Sequence, residues 1–321
     1  MGDVNPSPSK PPADEPRGAE AAPAATVIVL RDAPAGIQIF MVRRHAGTAF
    51  MPGADVFPGG RVDDGDREAP SERWCDGIAQ AAVQLGDLRP PDAVAYHVTA
   101  VREMFEEAGI LLARDRQGQF VRLADAERQR RFTRHRRDVH SGARSLHEVM
   151  EAEGLCVALD ALVPYAHWLT PPIDVRRFDT RFFVVRLPPG QTPAHDDTET
   201  THSAWRTPAE ALALCRRGET FLPPPTWTTL RELEAFRTVD DVLGWARGRR
   251  IDRREPQYVE RDDRKWLVLP GDPLSAEPPR EHADLSAEAP RATAGDGPHV
   301  RFETRFDLVN GRWLAEGSDL D

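Results

Sequence analysis

The spacing of apolar side chains divides the chain into short elements. Residues 25–30 (ATVIVL) and 37–42 (IQIFMV) are apolar, largely β-branched runs of strand length. Residues 32–36 (DAPAG) between them are turn chemistry, so the pair predicts a hairpin. Residues 43–60 are glycine-rich and predict a loop, and a short helical stretch near 74–85 lies among Pro70, Pro90 and Pro91. Val94, Val98, Val101, Phe105, Ala108 and Leu112 recur every three or four residues and predict a helix over 94–112, with Gly109 near its end, where glycine often closes a helix. Residues 123–154 are arginine-rich with a helical period, and 162–169 and 181–187 predict strands on either side of Pro171-Pro172. Thr207-Pro208, with Glu210 three residues after the cap, opens a helix over 207–217, and 226–247 predict a further helix or helix pair.

The ends of the chain read differently. Residues 1–22, rich in Pro, Ala and charge without a period, predict a disordered tail. Beyond residue 250, residues 267–273 are extended, 274–298 are polar and low in aromatics, and Asn310-Gly311 centres a hairpin over 299–314. Strands and helices alternate irregularly, which predicts an α/β protein with a mixed sheet, a domain over 23–250 and a partly irregular C-terminal extension over 251–321.

Composition narrows the function classes. A net charge of −10 argues against global attraction to nucleic acid, so a polyanionic substrate needs a local cationic patch or metal ions. Cys75, Cys156 and Cys215 are far apart, which disfavours zinc knuckles and dithiol redox motifs and suits a reducing compartment. No apolar run reaches the roughly 20 residues of a membrane helix, and the N-terminus lacks a signal-peptide pattern, so the expected compartment is the cytoplasm.

The chemistry concentrates in Arg102-Glu103-Met104-Phe105-Glu106-Glu107-Ala108-Gly109-Ile110. On a helix Glu103, Glu106 and Glu107 share one face, where three carboxylates repel each other unless a cation sits between them. Magnesium takes such oxygen ligands and is commonly shared with substrate phosphates. This segment resembles the helical half of the Nudix box, R-E-U-x-E-E-x-G-U with U apolar, and every specified position fits. The other half, a glycine and an acid six residues on, is met by Gly60 and Asp66, with aspartate where the pattern has glutamate. Residues 67–101 make a spacer of 35 where the pattern has seven, so 28 residues are extra. Loop entropy tolerates such an insertion.

An interrupted box is similar to that of the coenzyme A diphosphatase branch of the Nudix family, and residues 168–171, 177–183, 199–205, 207–212 and 223–226 resemble that branch too. The resemblance implies a Nudix fold, an α/β/α sandwich with a mixed sheet, with insertions at about 67–93 and 114–158. It implies metal-dependent hydrolysis of a nucleoside diphosphate derivative, with coenzyme A or an acyl-coenzyme A as the favoured substrate. The rivals are ADP-ribose, NADH or capped RNA, or a non-catalytic nucleotide-sensing module. It further implies that Glu103, Glu106, Glu107 and the Gly60 carbonyl hold Mg2+ or Mn2+, and that Arg102 is held by Asp66. The general base would be Glu103 or, from a later loop, Glu199. Arg43, Arg44 and Arg181 are candidate phosphate contacts, because an arginine fork is bidentate. His97 reads as a packed or exposed helix histidine, and the basic run 128–138 as a solvated helix face. The expected partners are the small-molecule substrate and, in assembly, a second copy of the chain as a homodimer; neither membrane nor nucleic acid is expected.

Overall fold

Twelve β-branched, alanine and leucine-rich residues make the first strand, β1 (Ala22–Ala33), which turns at Gly36 (φ 111°) into β2 (Gly36–Arg44). The computed structural model describes residues 20–275, except 49, 69–70, 175, 197–198 and 262, together with 305–309 and 312–315. Next come β3 (Asp55–Val56) and β4 (Gly59–Arg61), a one-turn 3-10 helix at Gly65–Arg67, β5 (Cys75–Asp76), α1 (Ile78–Gln84) and α2 (Pro90–Ala108). The middle of the chain holds β6 (Ala113–Arg114), α3 (Ala126–His140), α4 (Leu146–Glu153), β7 (Cys156–Ala158), β8 (Val163–Leu169), β9 (Phe178–Arg186) and β10 (Thr200–Arg206). Three helices follow, α5 (Pro208–Arg216), α6 (Pro224–Leu233) and α7 (Val239–Gly248), then β11 (Arg253–Arg254), β12 (Gln257–Arg261), β13 (Arg264–Val268), β14 (Arg305–Val309) and β15 (Arg312–Ala315).

The main sheet has the order β10-β2-β1-β9-β8-β11, with β3 on β2 and β4 on β1. It is mixed: β1 runs parallel to β9 and antiparallel to β2 and β4. Each face is covered, as the apolar alternation of the strands requires. Ala25, Val27 and Val29 of β1 pack under α2, while Ile28 and Leu30 pack under α6 and α7. The fold is thus the expected α/β sandwich.

Helix α2 sets the position of the chemistry. It begins at Pro90-Pro91, earlier than the apolar period indicates, because proline is pre-set for a first helical turn. It ends at Gly109, whose left-handed φ of 67° few other residues adopt without strain. His97 is fully buried in this helix, its ring nitrogens bonded to Ala93 O (2.8 Å) and Gln84 Oε1 (2.9 Å). It is a packing histidine that joins α2 to α1. Burial pushes its pKa down to about 4. The folded state therefore holds His97 neutral, and the stability this confers is present above pH 6.5 and lost as pH falls through about 4. His97→Gln is expected to flatten the fall in melting temperature between pH 6 and 4. An unchanged slope would assign that fall to other groups.

The two insertions are one structural layer. β5, from inside the interrupted box, pairs with β7, which also pairs with β6, giving a three-stranded sheet β5-β7-β6. Asp87, in the first insertion, pairs with buried Arg181 of β9 and fastens the layer to the main sheet.

The C-terminal extension is not separate in packing. β11 adds to the main sheet beside β8, and Leu267, Leu269, Phe306 and Ala315 lie in the same core cluster as Ile28 and Trp227. The expected terminal hairpin is present as β14 and β15, paired from Val309↔Arg312 to Phe306↔Ala315; its turn, Asn310-Gly311, lies outside the described residues. So do residues 1–19 of the expected tail and 276–298 of the expected linker.

Candidate active site

The acids of α2 meet β4 at one end of a cleft of about 820 Å³. Three consequences of sequence bring them together. The i, i+3, i+4 spacing puts Glu103, Glu106 and Glu107 on one side of α2. The apolar face of α2 docks on β1. The glycines of β4 let the strand approach the acids without a side chain between. A Cβ on Gly60 would lie 2.2 Å from Glu103 Oε1, and one on Gly59 would lie 2.5 Å from the Ala25 carbonyl. These clashes differ in kind. Gly59→Ala strikes backbone and is expected to destabilise the fold by about 1–3 kcal/mol. Gly60→Ala strikes a side-chain end, so it is expected to fold while displacing Glu103 from Arg102, at a smaller cost in stability. The melting temperatures of the two variants separate the effects.

Arg102 is the hub of the cluster. Its Nε and Nη2 donate to the two Asp66 oxygens (2.8 Å each), Nη2 also to Arg61 O (2.8 Å), and Nη1 to Glu103 Oε1 (2.8 Å) and Glu106 Oε1 (3.1 Å). Aspartate in the box position of glutamate thus still reaches the guanidinium with both oxygens. Asp66 is itself held by Thr99 Oγ1 (2.8 Å) and the Asp63 amide (3.0 Å). Glu107 accepts from the Gly59 amide (3.0 Å).

The ladder decides which backbone carbonyl faces the acids. Val27 N donates to Pro58 O and Val62 N to Pro23 O, so the alternation of an antiparallel pair makes Ala25–Gly60 a hydrogen-bonded pair and Thr26–Gly59 an outward one. The Gly60 carbonyl is therefore turned to β1, and the backbone groups of Gly59 are turned toward Glu107.

Asp66, Glu103, Glu106 and Glu107 are all buried, with the largely enclosed guanidinium of Arg102, its side chain 11% exposed, bridging three of them. Desolvation dominates the result. Glu103 is pushed up to about 7 by burial, against the opposing pull of Arg102. Burial raises Glu106 too, and it raises Glu107 well above the usual carboxylate range, with Glu103 adding repulsion. Among the described residues no three carboxylate, histidine or cysteine side chains converge on one point, since Arg102 bridges Glu103 and Glu106 while Glu107 bonds to Gly59. The donor set nevertheless fits a hard divalent cation. It is all oxygen, it carries excess negative charge in a desolvated place, and its shifted acids gain most from a counter-charge.

Glu199 lines the same cleft, close enough to the acids that its charge raises Glu107 further. Its loop is tied to the exit of α2 at several points. Gln191 bonds Leu111 through both its amide and its carbonyl (2.8 Å each), and the Ala194 amide donates to Ala108 O (3.0 Å). Arg136 of α3 bridges Glu106 O (2.7 Å) and Ala194 O (3.0 Å). The basic run on α3 is therefore more than a solvated face, and at the end of the helix His140 comes within 3.5 Å of Glu106.

The arginine candidates divide. Arg44 lines the cleft, with its Nε on Phe50 O (3.2 Å). Arg43, its neighbour on β2, points the other way, as adjacent strand residues must, and is bound to Asp55 by two hydrogen bonds (2.6 and 3.0 Å). Arg181 is likewise on the far face of β9 from Thr180 and Phe182, which line the cleft, and is buried against Asp87. Arg43 and Arg181 are thus structural ion pairs and not phosphate contacts. His45, His140 and Asp63 line the cleft without having been singled out by the sequence. His140 lies two residues beyond the basic run 128–138, and none of the three carried a local signal.

A mixed sheet carrying an interrupted Nudix box at the mouth of a cleft defines a Nudix hydrolase. Comparison with known proteins refines the class. The family model described as the NUDT19 Nudix domain matches residues 78–233. The protein named acyl-coenzyme A diphosphatase NUDT19 from Homo sapiens is 31% identical over 288 residues, covering 75% of this chain and 73% of that protein. Its Xenopus laevis counterpart is 27% identical, covering 78% and 73%. A NUDIX hydrolase crystal structure from Alicyclobacillus acidocaldarius superposes with a TM-score of 0.57 at 28% identity, covering 70% of this chain and 96% of that one. The chain belongs to the NUDT19 family of Nudix hydrolases. Among its described residues no helix is long and apolar enough to cross a membrane.

Proposed function

We propose that this chain hydrolyses the diphosphate linkage of coenzyme A or an acyl-coenzyme A with a divalent cation, Mg2+ or Mn2+, held by Glu103, Glu106 and Glu107. The observation that carries the reading is the burial of four carboxylates, three of them bridged by Arg102, at the end of a cleft of about 820 Å³. The relatives named acyl-coenzyme A diphosphatase supply the substrate class. The intact set of box acids favours catalysis over a nucleotide-sensing module.

Bound there, the metal supplies charge neutralisation for the diphosphate oxygens and acidifies water. The remaining work falls to the chain. The Gly59 carbonyl, rather than that of Gly60, is the backbone oxygen turned toward the acids. Arg102, fixed by Asp66, holds Glu103 and Glu106 in register. Arg44 offers its guanidinium to a phosphate from the opposite wall. Glu199, held by its loop at the edge of the acid cluster, accepts the proton of the attacking water. Cleavage of the P–O–P bridge then gives adenosine 3′,5′-bisphosphate and a phosphopantetheine.

Glu199→Gln tests the assignment of the base. Its kcat is expected to fall about 10²- to 10⁴-fold, while calorimetric titration with Mn2+ gives an affinity within twofold of wild type. A lost metal affinity would make Glu199 a ligand instead, and an unchanged kcat would return the role of base to Glu103.

A further inference from the structure

The diphosphate reading leaves the far end of the cleft without an occupant. The floor of the cleft is one face of the main sheet: Ala24 and Thr26 of β1, then Thr180 and Phe182 of β9, then Trp168 of β8. Gly59 and Gly60 of β4 lie on the other side of β1. The acids and Trp168 are thus separated by three strand spacings, about 14 Å. An extended pantetheine arm is of that order in length, so a diphosphate at the acids brings the sulfur end of coenzyme A to Trp168.

The walls change in character over that distance. At the acid end they are charged: Arg44, Arg61, Arg102 and the three glutamates. At the far end apolar groups, Pro224 at the start of α6, Leu267 of β13 and Trp313 of β15, share the wall with Thr170, Asp174 and Arg176 from the loop after β8. Leu267 and Trp313 belong to the C-terminal extension, outside the segment matched as the Nudix domain. Trp313 is only partly buried, packed edge to face on Tyr258 at 6.3 Å, so part of its ring remains available to a ligand.

We propose that the C-terminal extension completes an apolar subsite, walled by Trp168, Leu267 and Trp313, which receives the acyl chain of an acyl-coenzyme A and makes long-chain thioesters bind more tightly than free coenzyme A. The proposal rests on the diphosphate reading for the orientation of the substrate. An aliphatic chain suits this end better than the adenine does. Phe182, Pro224, Leu267 and Trp313 present apolar surface, which is all an acyl chain asks for, while the polar side chains at this end, Thr170, Asp174 and Arg176, come from the loop after β8. The extension also explains its own packing: it is held into the main core by Leu267 and Phe306, which fixes the wall in place.

The two halves of the substrate serve as separate probes. Binding of adenosine 3′,5′-bisphosphate and of S-acyl-4′-phosphopantetheines of increasing chain length is measured by calorimetry on the full chain, wild type, Trp313→Ala and Trp313→Phe. Wild-type affinity is expected to rise with chain length by up to about fourfold per methylene until the subsite is full. Trp313→Ala is expected to weaken the palmitoyl compound about tenfold or more, with Trp313→Phe recovering most of it and adenosine 3′,5′-bisphosphate changed less than twofold. Affinity independent of chain length in the wild type overturns the subsite, and that result needs no variant to fold. Weakening of the adenosine half instead places the nucleotide at Trp313 and overturns the assignment. Coenzyme A hydrolysis, measured alongside, reports on the diphosphate reading separately: its absence sinks that reading whatever the chain-length series shows.

Discussion

Glu107→Gln is expected to lower kcat by about 10³-fold, on the order of 4 kcal/mol of transition-state stabilisation. The substitution is isosteric, and a glutamine oxygen can still accept from the Gly59 amide at the 3.0 Å distance seen for Glu107. What disappears is one negative charge from the set proposed to hold the cation. The effect on the metal-free fold runs the other way. Glu103 and Glu107 have folded pKa values raised above the ordinary carboxylate value of 4.5, Glu103 to about 7. For acids shifted upward, the associated stability is present below pH 4.5 and is lost as pH rises through the folded values. Metal-free wild type is therefore expected to lose stability from pH 5 to 8, and a saturating divalent ion to restore it. Glu107→Gln should lose less over the same range and gain less from the ion. Thermal melts at pH 5.5 and 8, with chelator or with Mg2+, give all of these values. A wild-type melting temperature that is insensitive to the ion at pH 8 would contradict the account.

Arg102→Ala produces the largest expected loss of stability. The guanidinium is the cation shared by Asp66, Glu103 and Glu106, and it also ties Arg61 O of β4 to α2. Removing it leaves the buried carboxylates without their shared cation, which costs about 3–5 kcal/mol. Protonation softens the loss at low pH, since the orphaned acids take up protons more readily, so the deficit is expected to be larger at pH 8 than at pH 6. Arg102→Lys should recover only part of it. An ammonium is a single point of charge and cannot span Asp66 on one side and Glu103 and Glu106 on the other as the planar fork does. Urea unfolding of the metal-free proteins at the two pH values measures this. Equal stability of Arg102→Ala and wild type at pH 8 would show that the cluster is not held by this residue.

How far the sequence carried this picture depends on the range of the interactions. The box helix was legible because its evidence is local: three acids at helical spacing, an opposing apolar face and Gly109 at the stop. The hairpin of β1 and β2 and the capping box at Thr207 and Glu210 were local too, and both are present. The start of α2 at Pro90 was missed because the apolar period begins at Val94, whereas the first turn is set by proline geometry. Arg43 and Arg181 were misjudged for a reason of parity. Strand neighbours point to opposite faces, and no local pattern told which of Arg43 and Arg44 meets the cleft. The places of His140 and Trp313 in the lining of the cleft were out of reach, since each arrives from a segment distant in sequence through packing that no periodicity encodes. The same holds for the joining of the two insertions through β5 and β7. The preference for Gly59 over Gly60 emerged only from the register of the ladder.

The central claim is that a coenzyme A diphosphate is cleaved at these acids. Purified protein with Mg2+ is incubated in parallel with coenzyme A, acetyl-coenzyme A, ADP-ribose, NADH and capped RNA, with Glu107→Gln as control, and products are resolved by mass. The account predicts adenosine 3′,5′-bisphosphate and the matching phosphopantetheine from the coenzyme A substrates, absent in the control. Cleavage of another diphosphate alone, or of none with Mn2+ also supplied, would contradict it.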